Sequence, residues 1–267
     1  MDGSLGVVIP AFRPDVDRLS AYVAAIDGGL SPETIRVELD DPEHGVTNRL
    51  RDATDGAEAA TVVSVSERRR GKGAAITAGF EALSTDVLAF LDADGATPVD
   101  SAVRVIEPVR DGTADLAVGS RRHPDSAVGS HQTVFRRALG DAFAWLARRL
   151  LETPLYDYQC GAKAITADAW RRLRGDVYES GFAWDIELVA LAGAHGARVL
   201  EVPIRWEDRP GSTVDPVRDT LGMFRGLLTA RHRERIAAGS RLHRMIASDP
   251  GPSLPERLHE SPGRDPT

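Results

Sequence analysis

A chain of 267 residues, 42% hydrophobic and 27% charged, carries enough apolar material for a sizeable core and has the balance of an ordinary globular protein. A formal net charge of −7 argues against a general nucleic-acid binder, whose footprint is basic, and the single cysteine excludes a disulfide framework and suits a reducing cytoplasm. No uncharged run reaches the roughly 18 residues of a membrane span, and the acidic N-terminus does not read as a signal peptide.

The first 120 residues alternate short β-branched runs with helical periodicity, the signature of a parallel sheet covered by helices. Strands are predicted near 5–10, 34–39, 60–65, 87–91 and 116–119, and helices near 15–27, 44–53, 73–83 and 100–110. Apolar runs such as "VLAFL" fit strands buried on both faces. Such sheets bind ligands at the carboxyl ends of their strands, and each predicted end here carries polar residues. The second half is less regular. It holds a long amphipathic helix over 133–152, a loop at 156–163, helices near 166–174 and 183–194, a strand over 197–206 and a helix from 217 to about 238. The tail from 239, and above all the proline-rich stretch after Ser248, is expected to be partly disordered.

Within these elements, "FLDADGATP" delivers Asp92 and Asp94 to the end of an apolar strand. Residues one apart on a strand share a face, so the two carboxylates are expected to converge on a hard divalent cation or a ribose. The competing reading is a helix-capping loop before Pro98. The pair Asp15 and Asp17 has the same spacing but reads as a solvated helix start, where acids favour the dipole.

"ERRRGKGAAITAGFEAL" is a basic glycine loop opening a helix, and it lacks the spacing of a Walker loop. It offers free N–H groups to an anion, or it is a solvated turn. Of 33 lysines and arginines only Lys72 and Lys163 are lysine, so both are candidates for tasks that arginine cannot perform. In "YDYQCGAKAIT", Gln159 and Lys163 flank a glycine and are candidates for a polar ligand, while Cys160 reads as a buried small hydrophobe. Asp185 and Glu187 stand at a helix start, where capping is the default. Arg205, Trp206 and Arg209 end a strand as an anion clamp or a surface turn. The seven histidines show no metal-ligand spacing.

Taken in order, "VVIPAF" (7–12), "RGKGAAITAGF" (70–80), "FLDADGAT" (90–97), "GSR" (119–121), "DYQCGAKA" (157–164), "FAWDIEL" (182–188) and "EVPIRWEDRPGS" (201–212) resemble family 2 glycosyltransferases, and more narrowly the dolichyl-phosphate β-glucosyltransferases. The resemblance implies an α/β fold of the GT-A type: one domain over 1–238, with a nucleotide-binding half (1–120) and an acceptor half (121–238). It also implies a nucleotide-sugar donor such as UDP-glucose, a divalent metal (Mg2+ or Mn2+) and a polyprenyl (dolichyl) phosphate acceptor. The protein would lie peripherally at the cytoplasmic face of a membrane, supporting protein or envelope glycosylation.

Carried over by motif, Pro10, Ala11, Asp15 and the Asp40 loop would hold the base and ribose, with Lys72, Gly73 and Ala93 near the nucleotide. Asp92 and Asp94 would bind ribose and metal-diphosphate. Arg121 and Arg136 or Arg137 would lie near the phosphates, and Gln159, Lys163, Asp185, Arg205 and Ser212 would line the sugar and acceptor side. Asp94, Asp185 and Arg121 are the expected catalytic residues, Asp185 as the general base if the acceptor is an alcohol. Departures from the family pattern are "FRPD" after the first strand, "DDPE" after the second, and Thr213 where a lysine is usual. Another donor such as GDP-mannose, a soluble hydroxyl acceptor, a nucleotidyltransferase and a non-catalytic binding module are the alternatives.

Overall fold

The computed structural model describes residues 3–129, 134–207, 216–246 and 251–260. Its centre is a seven-stranded sheet of β1 (Leu5–Phe12), β2 (Thr34–Asp40), β3 (Ala60–Ser66), β4 (Val87–Leu91), β5 (Leu116–Ser120), β7 (Ala162–Thr166) and β8 (Val199–Pro203), in the order β3-β2-β1-β4-β7-β5-β8. All neighbours pair in parallel except β7, which runs antiparallel between β4 and β5. A small second sheet pairs β6 (Ala127–Gly129) with β9 (Arg205–Glu207).

Successive side chains of a strand point to opposite faces, and the central strands are apolar on both. Val7 and Ile9 of β1 join one core with α1 (Val16–Leu30), α2 (Val46–Thr54) and α4 (Val99–Arg110), while Val8 joins the other. That second face is covered by α3 (Lys72–Glu81), α5 (Val134–Leu150), α6 (Ala167–Leu173), α7 (Trp184–Ala194), α8 (Pro216–Ala237) and α10 (Leu254–Glu260), with α9 (Arg241–Ile246) lying on α8. Its centre is aromatic. Trp184 is fully buried, meets Phe80 and Phe90 edge-on at 6.2 and 5.6 Å, and donates its indole N–H to Thr77 Oγ1 at 3.1 Å. Such ring pairs add about 0.5–1.5 kcal/mol each beyond their burial.

Two expectations change. The predicted loop at 156–163 gives way to β7 from Ala162, so Lys163 lies within a strand. The predicted strand over 197–206 is divided into β8 and β9. The described part of the tail includes α9 and α10. Helix α10 opens with a capping box, in which the Ser253 N–H donates to Glu256 Oε2 at 2.7 Å, and it buries Leu254.

Candidate active site

The carboxyl ends of β1, β2, β4, β5 and β8 gather at one edge of the sheet. Because β7 is antiparallel, its amino end arrives there too, and the Asp92 N–H donates to Gly161 O at 2.9 Å. Strand β4 stops at Leu91, so Asp92 and Asp94 belong to a turn rather than to a shared strand face. Gly95, at φ +65°, closes that turn over the ring of Tyr22, whose hydroxyl donates to Thr97 O at 2.7 Å. Glu207 of β9 donates its N–H to Ala96 O at 2.9 Å, which holds the second sheet against the same turn.

Asp92 is the inner of the two acids. Lys72 Nζ lies 2.9 Å from its Oδ1, and a β-carbon on Gly161 would stand 1.8 Å from its Oδ2, so only glycine fits there. Asp94 is exposed at the edge and takes one backbone N–H, from Ala96 at 2.9 Å. Surrounding protein and the charge of Asp92 push its carboxyl pKa up, which is the electrostatic situation a bound cation would relieve. An ion of the Mg2+ or Mn2+ class takes one or two carboxylates and completes its shell with water and substrate phosphate, and this donor set fits it.

Behind the acids lies a buried ion network. Asp185, at 2% exposure, gives one oxygen to Lys72 at 3.1 Å and the other to Lys163, and Lys163 also donates to Cys160 O at 2.8 Å. Burial alone would raise the Asp185 carboxyl, but Lys163 and Lys72 hold it below the usual range. Burial likewise works against the Lys72 ammonium, and Asp185 and Asp92 outweigh it and raise its pKa. Cys160 is buried, with its thiol pushed up to about 12 mainly by desolvation, and is no nucleophile.

Arg121, at the end of β5, forms a fork on Asp157 through Nε at 2.7 Å and a second guanidinium nitrogen at 3.0 Å, and packs 5.7 Å from the Trp206 ring. The Asp157 N–H donates in turn to Glu201 of β8 at 2.8 Å. Arg121 thereby stands fixed beside the acidic turn.

Other expected site residues have structural tasks. Asp15 caps α1 by accepting from the Arg18 N–H at 3.1 Å. Asp40 is buried, and it accepts from the N–H of Arg70 and Gly71 and from Arg70 Nε, which ties β2 to the loop before α3. Gly73 is buried under Trp184, where a β-carbon would approach to 2.5 Å, so its smallness serves packing. Lys163, at 1% exposure, cannot reach an acceptor, and Asp185, with both oxygens held by lysines, is not a free general base. Arg205 is exposed on β9 and pairs with Asp100 at 3.5 Å. Pro10 and Ala11 end β1 at the binding edge, and Ala93 sits half-buried between the acids. Gln159 is half-buried and contacts Met223 of α8. Helix α5 carries Arg136 and Arg137, whose side chains lie outside the described residues, as does Ser212.

Tyr22, Gly161 and Glu201 have roles that the sequence does not reveal. Their contacts are long-range and no local pattern announces them; the one signal was the glycine of "QCGAK" at the start of an apolar run.

A family model described as Glycosyl transferase family 2 matches residues 47–159. Glycosyltransferase AglD of Haloferax volcanii is 39% identical over 158 residues, 59% of this chain but only 25% of its own length. The dolichyl-phosphate beta-glucosyltransferase of Drosophila melanogaster is 29% identical over 246 residues, covering 84% of this chain and 73% of that protein. The undecaprenyl-phosphate mannosyltransferase of Micrococcus luteus is 31% identical over 206 residues, covering 76% and 83%. Among solved structures, glucosyl-3-phosphoglycerate synthase from Mycobacterium tuberculosis, in complex with Mn2+, UDP-glucose and phosphoglyceric acid, superposes with a TM-score of 0.65 at 16% identity over 86% of this chain and 80% of that one. Mannosyl-3-phosphoglycerate synthase from Rubrobacter xylanophilus gives 0.65 at 18% identity over 93% and 78%. At these identities the structural likeness establishes the fold, which is of the GT-A type. With the family model, the Micrococcus relative and the acid turn at the sheet edge in agreement, the chain belongs to glycosyltransferase family 2 and is a transferase.

Proposed function

We propose that the protein transfers a hexose, glucose in the first instance, from a nucleoside-diphosphate sugar to a polyprenyl phosphate, with inversion. The donor's base and ribose would rest on the ends of β1 and β2, its diphosphate against Asp94 and Arg121. A divalent metal, when bound at Asp94, would offset the charge that grows on the departing nucleoside diphosphate. Arg121, held rigid by Asp157, adds a fixed positive charge on the same side.

The observation that carries the acceptor class is the state of Asp185. An alcohol acceptor needs a general base, and the acid in the expected place is buried and saturated by two lysines. A phosphate monoester is already largely anionic near neutrality, with a second pKa of about 6, and attacks without one. A cleft of about 240 Å³ between the loop before α7 and α8, lined by Phe182, Met223, Arg225 and Thr229 among others, supports the same reading. It offers an apolar wall and a cation to a lipid phosphate, and Gln159 borders it through Met223.

None of the helices is long and apolar enough, among the described residues, to cross a membrane. A peripheral position at the cytoplasmic membrane surface is part of the proposal, and exposed side chains support it. Trp145 of α5, Leu228 of α8, and Leu242 and Met245 of α9 are exposed, and Arg149 stacks on Trp145. Helices that combine exposed apolar residues with arginine suit an anionic interface.

The test is a donor panel of UDP- and GDP-sugars with a polyprenyl phosphate or a hydroxyl acceptor, in Mn2+ or Mg2+, read by mass spectrometry. The expected product is a glycosyl phosphoryl polyprenol, formed by the wild type and not by a folded Asp94→Ala variant. Transfer to the hydroxyl acceptor alone, or full turnover by Asp94→Ala, would overturn the reading.

A further inference from the structure

Both lysines of the chain meet at a single carboxylate. Lys72 and Lys163 take one oxygen each of Asp185, in a protein that uses arginine at every other cationic Lys/Arg position. The site explains the choice. Lys163 is enclosed within β7 and Lys72 is nearly so at the start of α3, and a slim ammonium satisfies two acceptors where a planar guanidinium would need a wider slot. The network of Asp92, Lys72, Asp185 and Lys163 alternates in sign and is neutral as a whole. It is also fixed. Glu187, two residues along α7, accepts from the N–H of Tyr178 and Glu179 and pairs with Arg233 of α8, so the helix that carries Asp185 cannot drift.

This arrangement has a consequence for Asp92. Its Oδ1 is held by Lys72 and its Oδ2 faces Gly161, so its charge is already answered from within the protein. Among the described residues no group of three or more His, Cys, Asp or Glu side chains could hold a metal ion. The protein thus offers an incoming dication one open carboxylate, Asp94, beside an ammonium of like charge. Phosphate oxygens from a donor would supply both the missing ligands and the missing negative charge.

We propose that Lys72, anchored by Asp185 and Lys163, is an internal counterion for Asp92 that makes capture of a divalent cation depend on a nucleoside diphosphate. The inference rests on the donor site proposed above. It assigns Lys72 a positioning and gating role, and binding of metal alone is weak because of it.

Mn2+ binding, followed by electron paramagnetic resonance of the free ion, tests this without turnover. The wild type is expected to bind Mn2+ at least roughly tenfold more tightly with UDP than without, the smallest effect expected of an adjacent charge on a carboxylate site, and UMP should promote binding much less. Lys72→Met and Lys72→Gln keep Asp185 paired with Lys163. Both should tighten binding of Mn2+ alone and narrow the gap between the two conditions, with melting temperature confirming the fold. Unchanged or weaker metal-alone binding in a folded variant overturns the counterion role while leaving the donor site intact. A wild type that binds Mn2+ equally well with and without UDP overturns it without recourse to any variant. Failure of the wild type to bind Mn2+ even with UDP removes both the inference and the donor site.

Discussion

Asp157 illustrates how a residue with no obvious task secures one with an obvious one. It is buried, accepts the Arg121 fork, and holds that cation in place near the acid turn. Burial alone would raise its carboxyl, but Arg121 holds it far below the ordinary range. A depressed carboxylate stabilises the fold above its unfolded pKa, near 3.9, and that contribution disappears as pH falls through the lower folded value. Asp157→Asn is therefore expected to cost roughly 3 kcal/mol at neutral pH, as breaking a buried pair does. The difference from wild type should narrow below about pH 4 in urea titrations. A gap that stays constant into acid would show that the pair contributes no charge-dependent stability. Residues of this kind explain what the sequence could and could not convey. Asp92 and Asp94 were legible because an apolar strand runs into them. Asp40 and Gly73 entered as ligand contacts through the family resemblance alone, and the folded chain shows hydrogen bonds and packing at them; Asp15 reads from the sequence as a helix start, and it caps α1.

At the scale of elements, the strands of the first half were legible because β1, β4 and β5 are apolar on both faces, β2 alternates apolar with polar residues, and each is bounded by turn residues. Strand β7 was not. It is five residues long with a lysine as its second residue, and that lysine is tolerable only because Asp185 arrives from a helix more than twenty positions away. Helix α10 was hidden by its prolines, although Ser253 and Glu256 had the spacing of a capping box. Its anchor is Leu254, which is buried in the core beside α3 and donates its N–H to Val177 O at 2.7 Å. Leu254→Ala should cost about 2–4 kcal/mol in chemical denaturation, the usual result of emptying a buried leucine site. A loss within a few tenths of that expected for a surface residue would mean that α10 contributes little to the fold.

For the whole molecule, the sheet divides the work. One face and its helices α1, α2 and α4 build a passive core, whereas the other carries the ion network, the cleft and the helices whose outer sides expose apolar residues. The protein has a net charge of −7, yet arginines 148, 149, 225, 235 and 241 belong to α5, α8 and α9. That local excess lets an acidic protein meet an anionic surface. Co-sedimentation with liposomes containing phosphatidylglycerol should retain the wild type at low salt and release it at high salt. Leu242→Ser combined with Met245→Ser should weaken retention without changing binding of UDP. Equal recovery of wild type and variant with neutral and anionic vesicles would place the membrane contact elsewhere or remove it.

The central claim is that Asp94 and its turn present a divalent metal to a nucleoside diphosphate at the edge of the sheet. Its most direct measurement is the anomalous scattering of manganese in crystals soaked with Mn2+ and UDP. The expected result is one peak within coordinating distance of the Asp94 carboxylate, beside the bound UDP and near Arg121. A peak elsewhere, or UDP bound away from residues 92 and 94, would contradict it.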